Sequence, residues 1–269
     1  MELDSKSKYL RSLVIKAIKN ERRGHIGPAM SLIEILRCVY ESAAKHRPDD
    51  PDWSERDVVI LSKGHGCLAL YAVLAERGFF ELSELEKFGD PNSILGGHPE
   101  RDKIPGVEAS TGALGHGLSI GVGIAKAIKI KKSARAVFII VGDGEINEGS
   151  VWEAAMSAAK HQLSNLTLLV DYNKLQSYGE VSEVMPLEPL KLKLQSFGFA
   201  VKEINGHDVN EINEHLKLLP LEQTKPSALI CHTVKGKGIP KAENNPLWHH
   251  RSNLTETDIT ELENLFLGA

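Results

Sequence analysis

Residues 141–149 read VGDGEINEG, and they lie between an apolar run, AVFIIV, and a helical pattern that begins near Gly149. Glycines in such a turn let backbone N–H groups approach a phosphate, and the N-terminus of the following helix points at the same place. A dinucleotide-binding GxGxxG motif would have glycine at its sixth position, where this chain has Asn147. Asp143 also separates the two glycines. Because its carboxylate would repel a pyrophosphate, we infer that a divalent cation bridges the two.

A second oxygen ligand is expected from a neighbouring strand. The apolar run 166–170, LTLLV, is followed by DYNKL at 171–175. Asp143 and Asn173 are separated by the length of one βαβ unit, which places both at the carboxyl edge of adjacent parallel strands. A carboxylate, an amide oxygen, a backbone carbonyl and phosphate oxygens suit Mg²⁺ or Ca²⁺.

Apolar runs alternate with helical patterns along the chain, which predicts an α/β fold. Runs that are apolar at nearly every position are covered on both faces, as in a doubly wound, mostly parallel sheet with helices on both sides. The predicted strands are Asp57–Leu61, Ala136–Val141, Leu166–Val170, Ala200–Ile204 and Ala228–Cys231. The predicted helices are Met1–Asn20, Ser31–Lys45, Leu68–Arg77, Gly149–His161 and Val209–Leu218.

We expect one domain over residues 1–269, with a loop-rich segment at 79–112 and an irregular tail after Pro240. Ser31 and Glu34 form a capping-box pattern, which predicts that the second helix begins at Ser31. Gly117, Gly121 and Ala125 recur every four residues, which indicates a helical face packed closely against a neighbour.

Composition excludes several classes of protein. The 269 residues carry a net charge of −4 without a long basic run, which argues against nucleic acid or an anionic membrane as partner. No stretch approaches the ~18 apolar residues of a membrane span. The cysteines at 38, 67 and 231 form no CxxC pair, which is typical of reduced thiols in a cytoplasmic protein.

Five of the eleven histidines directly follow glycine, and a lone histidine is usually a surface residue or a hydrogen-bonded core residue. Those in glycine-flanked loops at strand ends are suited to bind ligands and to move protons near neutral pH. The five are His25, His65, His98, His116 and His207. Lys235 and Lys237 could form a solvated basic turn, or Lys235 could supply a cation near a phosphate.

The GDG…N pattern resembles the diphosphate-binding motif of thiamine diphosphate enzymes. Further segments make the chain similar to transketolases, above all to the split form whose halves are separate chains. These segments are GHIG at 24–27, LSKGHG at 61–66, GHPE at 97–100, STGALG at 110–115 and HTVKGKG at 232–238. They keep the family's order over nearly the whole chain.

The resemblance implies thiamine diphosphate as cofactor, with Mg²⁺ (or Ca²⁺) held by Asp143, Asn173 and the backbone carbonyl of Leu175. It implies that the catalytic histidines are His25, His65, His98 and His249. It implies that the cofactor-binding residues are His65, Gly112, Leu114, Asp143, Gly144, Glu148, Asn173, Lys235 and His249.

The resemblance also implies a further role for Glu148 and bears on three histidines outside these sets. Glu148 would link two active sites across a subunit interface, and it is also well placed as a carboxylate at a helix N-terminus. His207 has no counterpart and is assigned to structure. His116 and His250 depart from the family pattern near the presumed substrate channel, which makes an unusual sugar donor an alternative.

The implied activity is transfer of a two-carbon ketol unit from a ketose phosphate to an aldose. It would need a second, C-terminal transketolase subunit that binds the cofactor's pyrimidine ring, in an α2β2 assembly, with sugar phosphates as substrates. Other interpretations are a 2-oxoacid-decarboxylating or deoxyxylulose-phosphate-synthase-like enzyme, a scaffold without activity, or a nicotinamide-dependent dehydrogenase. The retained Asp143, Asn173 and histidines speak against a scaffold. A dehydrogenase is disfavoured because Asp143 lies where the pyrophosphate would approach and the first strand is not followed by GxGxxG.

Overall fold

The five strands of the molecule form one parallel sheet in the computed structural model, which describes residues 2–177 and 179–267. The strands lie in the order β1-β2-β3-β5-β4, and every neighbouring pair is parallel. Their bounds are Val58–Leu61 (β1), Val137–Gly142 (β2), Leu166–Tyr172 (β3), Ala200–Asn205 (β4) and Ser227–His232 (β5). The predicted α/β fold with a parallel sheet is confirmed.

Two hydrophobic layers cover the sheet, because alternate strand residues point to opposite faces. Phe138 and Ile140 of β2 belong to one layer, whereas Val137, Ile139 and Val141 belong to the other. Every residue of β1, β2 and β3 is buried. This burial on both faces explains why the sequence of these strands is apolar without alternation.

The helices divide between the two layers. Those that bury side chains in the first layer are α1 (Ser5–Glu21), α2 (Ile26–Cys38), α3 (Cys67–Glu76), α8 (Val209–Lys217) and α9 (Glu256–Asn264). Those that bury side chains in the second are α4 (His116–Ile130), α5 (Gly149–Lys160), α6 (Val181–Val184) and α7 (Leu190–Ser196). None of the described helices has the length and apolar character needed to cross a membrane.

The first two helices do not begin at the residues that the sequence predicts. α1 starts at Ser5, with Asp4 as its N-cap, and Met1 lies outside the described residues. α2 starts at Ile26, so the predicted capping box at Ser31 is wrong. Ser31 and Glu34 are buried inside α2, where their polar atoms have tertiary partners instead. The serine and glutamate that resemble a helix cap in the sequence are therefore polar contacts within the core.

Glu34 holds together three distant parts of the chain. The Arg11 guanidinium donates to it at 2.6 and 3.0 Å, and His207 Nδ1 lies 2.8 Å from its Oε2. Burial would raise the pKa of Glu34, but Arg11 and His207 outweigh burial and lower it to about 2. His207 Nε2 accepts from Val234 N at 2.8 Å, and Arg11 Nε donates to the Lys237 carbonyl at 2.8 Å. The network thus fixes the segment after β5.

The tail after Pro240 is only partly irregular, so this prediction is wrong for residues 256–264. α9 begins with a capping box between Thr255 and Asp258. It buries Ile259 and Leu262 in the layer that α1 also covers. Ile259 and Leu262 are three residues apart and therefore lie on the same face of α9. That face is buried in the hydrophobic layer to which α1 also contributes.

The predicted close packing of α4 is confirmed. A Cβ at Gly117 would meet Ser62 at 2.3 Å, and one at Gly121 would meet Ile139 of β2 at 2.6 Å. Ala125, on the same face, is fully buried. α4 therefore lies directly on the strands that end at Gly142 and Leu61.

Gly121→Ala should lower the free energy of unfolding by about 1–3 kcal/mol, because the new methyl group overpacks against Ile139. Gly123→Ala is the matched control in the same helix, since a Cβ at Gly123 would meet no described atom within 4 Å beyond the helix's own backbone. We expect it to be neutral or to stabilise by about 0.5–1 kcal/mol. Urea titrations of both variants test this, and equal effects would contradict the packing argument.

Candidate functional site

Asp143 and Asn173 lie at the same edge of the sheet. β2 and β3 are neighbours, and Gly142 pairs with Asp171 at their carboxyl ends. Asp143 directly follows β2, and Asn173 directly follows β3. The predicted placement at the ends of adjacent parallel strands is confirmed, and this edge is where ligands bind in open α/β sheets.

A cleft of about 150 Å³ opens at this edge and contains most of the predicted site residues. The predicted residues that line it are His65, Leu114, Asp143, Gly144, Glu148, Asn173, Leu175, Lys235 and His249. His25, His98 and Gly112 do not line the cleft itself. His25 and His98 lie beside it, as the ring distances below show. Gly112 packs beneath His98, since a Cβ there would come within 2.8 Å of the His98 ring.

The three residues predicted to hold a metal all line the cleft. Asp143 accepts from Gly144 N at 2.7 Å and from Lys174 N. Asn173 Oδ1 accepts from Leu175 N at 3.1 Å, and the Leu175 carbonyl accepts from Lys235 Nζ at 3.0 Å. Burial, and then the charge of Asp171, raise the pKa of Asp143 to about 6. Asp143 is thus a buried carboxylate whose charge a cation would stabilise.

These residues fit a hard divalent cation. Among residues 2–177 and 179–267, no group of three or more histidine, cysteine, aspartate or glutamate side chains is arranged to hold a metal. A metal here would instead use one carboxylate, the Asn173 amide oxygen and the Leu175 carbonyl. This all-oxygen set suits Mg²⁺ or Ca²⁺ and leaves positions for phosphate oxygens.

Lys235 and Lys237 have different surroundings. Lys235 is 2 % exposed, and its ammonium also donates to the Gln176 carbonyl at 2.9 Å. Burial, and then the charge of Lys63, lower the pKa of Lys235 to about 8. Lys237 pairs instead with Glu243, at 3.4 Å. Lys235 is therefore a buried cation that lines the cleft, whereas Lys237 is a partly buried cation outside it.

Histidines from four separate loops meet beside the cleft. The ring centroid of His25 lies 5.5 Å from that of His65, 6.2 Å from that of His98 and 5.5 Å from that of His249. His250 adds a fifth ring, 4.6 Å from His25. The sequence assigns no role to His250, and the structure places its ring among these histidines.

Burial keeps the central imidazoles neutral at pH 7. It lowers the pKa of His25 to about 4 and that of His249 to about 3, with smaller contributions from neighbouring cationic groups. It lowers the pKa of His65 further still. A neutral imidazole can both donate and accept a hydrogen bond. Among the described residues, the buried His249 Nδ1 has no hydrogen-bond partner, so it is available to a ligand.

Three buried charged residues at this site were not predicted from the sequence: Lys63, Glu145 and Asp171. Lys63 lines the cleft, and its ammonium donates to Asp171 at 2.6 Å. Glu145 accepts from Gly115 N at 2.9 Å, from Gly142 N at 3.1 Å and from the Ser62 hydroxyl. The sequence does contain a signal of their burial, because each of the three lies within an otherwise apolar or glycine-rich motif.

Comparison with known proteins identifies the family. Residues 4–268 match the family model described as the transketolase, thiamine diphosphate binding domain. The 6-deoxy-6-sulfo-D-fructose transketolase subunit SqwG of Clostridium sp. (strain MSTE9) is 38% identical, over 95% of this chain and 93% of that protein. An apulose-4-phosphate transketolase subunit from Actinobacillus succinogenes is 40% identical, over 93% of this chain and 91% of that protein.

Longer transketolases match only in part. The crystal structure of the Campylobacter jejuni transketolase superposes with a TM-score of 0.87 at 31% identity, covering 98% of this chain but 43% of that one. The Buchnera aphidicola (strain APS) transketolase is 34% identical, and the match covers 39% of its length. The chain therefore belongs to the transketolase family, as a thiamine diphosphate-binding domain.

Proposed function

We propose that this chain is the diphosphate-binding subunit of a split transketolase, which transfers a two-carbon ketol unit from a ketose phosphate to an aldose. The observation that carries the proposal is the meeting of Asp143, Asn173 and the Leu175 carbonyl with a group of neutral histidines at one edge of the sheet. The named relatives are transketolase subunits of similar length, which favours this activity over a decarboxylating or synthase-like one.

In this proposal the cleft holds the diphosphate end of the cofactor through Mg²⁺. Asp143, Asn173 and the Leu175 carbonyl would ligate the metal, and the buried ammonium groups of Lys63 and Lys235 would face the phosphates. When bound, thiamine diphosphate supplies the carbanion chemistry that breaks and forms the sugar carbon–carbon bond. The protein supplies position and charge.

The histidines would act on the hydroxyl groups of the sugar. Because His25, His65 and His249 are neutral at pH 7, each can accept a proton from one hydroxyl and donate to another. The His25 ring lies among those of the other four histidines. We therefore propose that His25 binds the hydroxyl groups of the donor sugar. His98 lies on its far side and would orient the same sugar.

Activity would require a second subunit. That subunit would bind the pyrimidine ring of the cofactor, and an α2β2 heterotetramer would place two complete sites at subunit interfaces. The naming of the relatives as subunits supports a partner. The buried free thiols of Cys38, Cys67 and Cys231 are consistent with the cytoplasmic location that the sequence predicts.

An unusual sugar donor is the second candidate. The two relatives cited above are named for a sulfosugar and for apulose 4-phosphate. His250, whose ring lies 4.6 Å from that of His25, adds a polar group next to the proposed donor site. A difference in donor would leave the metal and diphosphate residues unchanged.

Reconstitution tests the proposed activity. The chain is assayed with thiamine diphosphate, Mg²⁺, xylulose 5-phosphate and ribose 5-phosphate, alone and with the product of the adjacent reading frame. We expect activity only in the mixture, because the cofactor site needs both subunits. Full activity of the chain alone would contradict the split-enzyme proposal. Inactivity of the mixture, with Mg²⁺-dependent cofactor binding intact, would favour another donor.

Asp143→Ala should abolish Mg²⁺-dependent binding of thiamine diphosphate to the assembly while leaving the circular dichroism spectrum unchanged. The variant removes the only carboxylate of the proposed metal set. Asp52→Ala, at a fully exposed carboxylate, is the control. Calorimetric titration with and without a chelator measures the effect, and an unchanged cofactor affinity would refute the metal role of Asp143.

His25→Ala should lower kcat by about 10²–10⁴-fold and change the Kd for thiamine diphosphate little. The side chain of His25 makes no capping hydrogen bond to α2, so the helix should tolerate the change. His215→Ala in α8, away from the cleft, is the matched control. Steady-state kinetics and cofactor titration separate the two effects, and a parallel loss in both would move His25 out of the substrate site.

A further inference from the structure

Asp171 lies directly beneath the cleft and belongs to none of the groups assigned so far. It pairs with Gly142 of β2 on one side and with Cys231 of β5 on the other. Its side chain is completely buried, in the centre of the sheet edge. A buried carboxylate in such a place needs several hydrogen-bond donors, because burial of an unpaired charge is costly.

Four side chains donate to the Asp171 carboxylate. Oδ2 accepts from Ser31 Oγ at 2.6 Å, from Lys63 Nζ at 2.6 Å and from Asn173 Nδ2 at 3.3 Å. Oδ1 accepts from the Thr233 hydroxyl. The donors come from α2 and from the segments that follow β1, β3 and β5. One carboxylate therefore joins four of the segments that line the cleft.

The contact with Asn173 determines which end of its amide faces the cleft. An ionised carboxylate only accepts hydrogen bonds, so the amide must turn its NH₂ group towards Asp171. Asn173 Oδ1 then points the other way, where it already accepts from Leu175 N. This is the oxygen that the proposed metal site requires.

The contacts with Lys63 and Thr233 fix the cationic side of the cleft. Lys63 is 2 % exposed, and Asp171 is its ion-pair partner at 2.6 Å. Thr233 lies two residues before Lys235, on the segment that carries the second buried ammonium. Asp171 thus holds the Lys63 ammonium directly and the segment of Lys235 through Thr233, without lining the cleft itself.

We propose that Asp171 is a positioning residue of the metal and diphosphate site, which orients the Asn173 oxygen and fixes the segments that carry Lys63 and Lys235. The inference rests on the proposed function, because it concerns the same metal and cofactor. Groups of this kind around metal ligands typically contribute about 10- to 100-fold in metal affinity or activity.

Asp171→Asn tests the role in the assembly of the full chain with its partner subunit. Thiamine diphosphate is titrated at limiting and at saturating Mg²⁺. We expect about 10- to 100-fold weaker binding at limiting Mg²⁺ and partial recovery at saturating Mg²⁺, because the defect lies in a metal-ligating oxygen. A lowered Tm with an unchanged Kd at both concentrations would overturn the proposal, since a structural role alone would give that result.

Thr233→Val provides a second test that does not change a buried charge. It removes one donor to Asp171 and should weaken cofactor binding by about tenfold, because hydrogen bonds to charged groups are strong. Thr167→Val, a buried position at the opposite end of β3, is the matched control and should leave the Kd unchanged. Equal Kd values for the two valine variants would contradict the positioning role.

The wild-type titration separates this inference from the proposed function. If the wild-type assembly shows no Mg²⁺-dependent binding of thiamine diphosphate, the proposed function fails and the positioning role fails with it. If the wild type binds and the Asp171 and Thr233 variants bind equally well, only the positioning role is refuted.

Discussion

Two carboxylates, Asp143 and Asp171, are buried at the ends of neighbouring strands, and the charges around the cleft are arranged about them. Burial would raise the pKa of Asp171, but the Lys63 ammonium and the hydroxyls of Ser31 and Thr233 together outweigh burial and lower it. Asp143 forms no ion pair among the described residues, and burial together with the charge of Asp171 raises its pKa. The edge of the sheet therefore contains one balanced charge and one that a cation would balance. The glycine turn, Asn173, Leu175 and the two buried lysines all line the cleft at this edge.

The arrangement also explains the neutral histidines. The same burial that raises the pKa of Asp143 withdraws water from His25, His65 and His249 and lowers their pKa values. The two buried ammonium groups, Lys63 and Lys235, act in the same direction. Imidazoles that stay unprotonated can exchange protons with sugar hydroxyls without adding charge to the site. The proposed metal site and the proposed proton transfer to the sugar thus share one buried environment.

Sequence alone predicted the parts of the molecule that depend on regular spacing. The parallel sheet followed from fully apolar runs, and the placement of Asp143 and Asn173 followed from one βαβ unit between them. The capping box at Ser31 was wrong because a serine and a glutamate at helical spacing can equally serve tertiary partners. Lys63 and Asp171 were missed for a related reason, since a charged residue in an apolar or glycine-rich stretch does not show which distant residue pairs with it.

The network of Arg11, Glu34 and His207 has a consequence for the shape of the cleft. Arg11 bonds to a carbonyl 226 residues away, so the segment that carries Lys235 is held by the opposite end of the chain. The position of a residue that lines the cleft therefore depends on how the N-terminal helix packs, although that helix does not line the cleft itself.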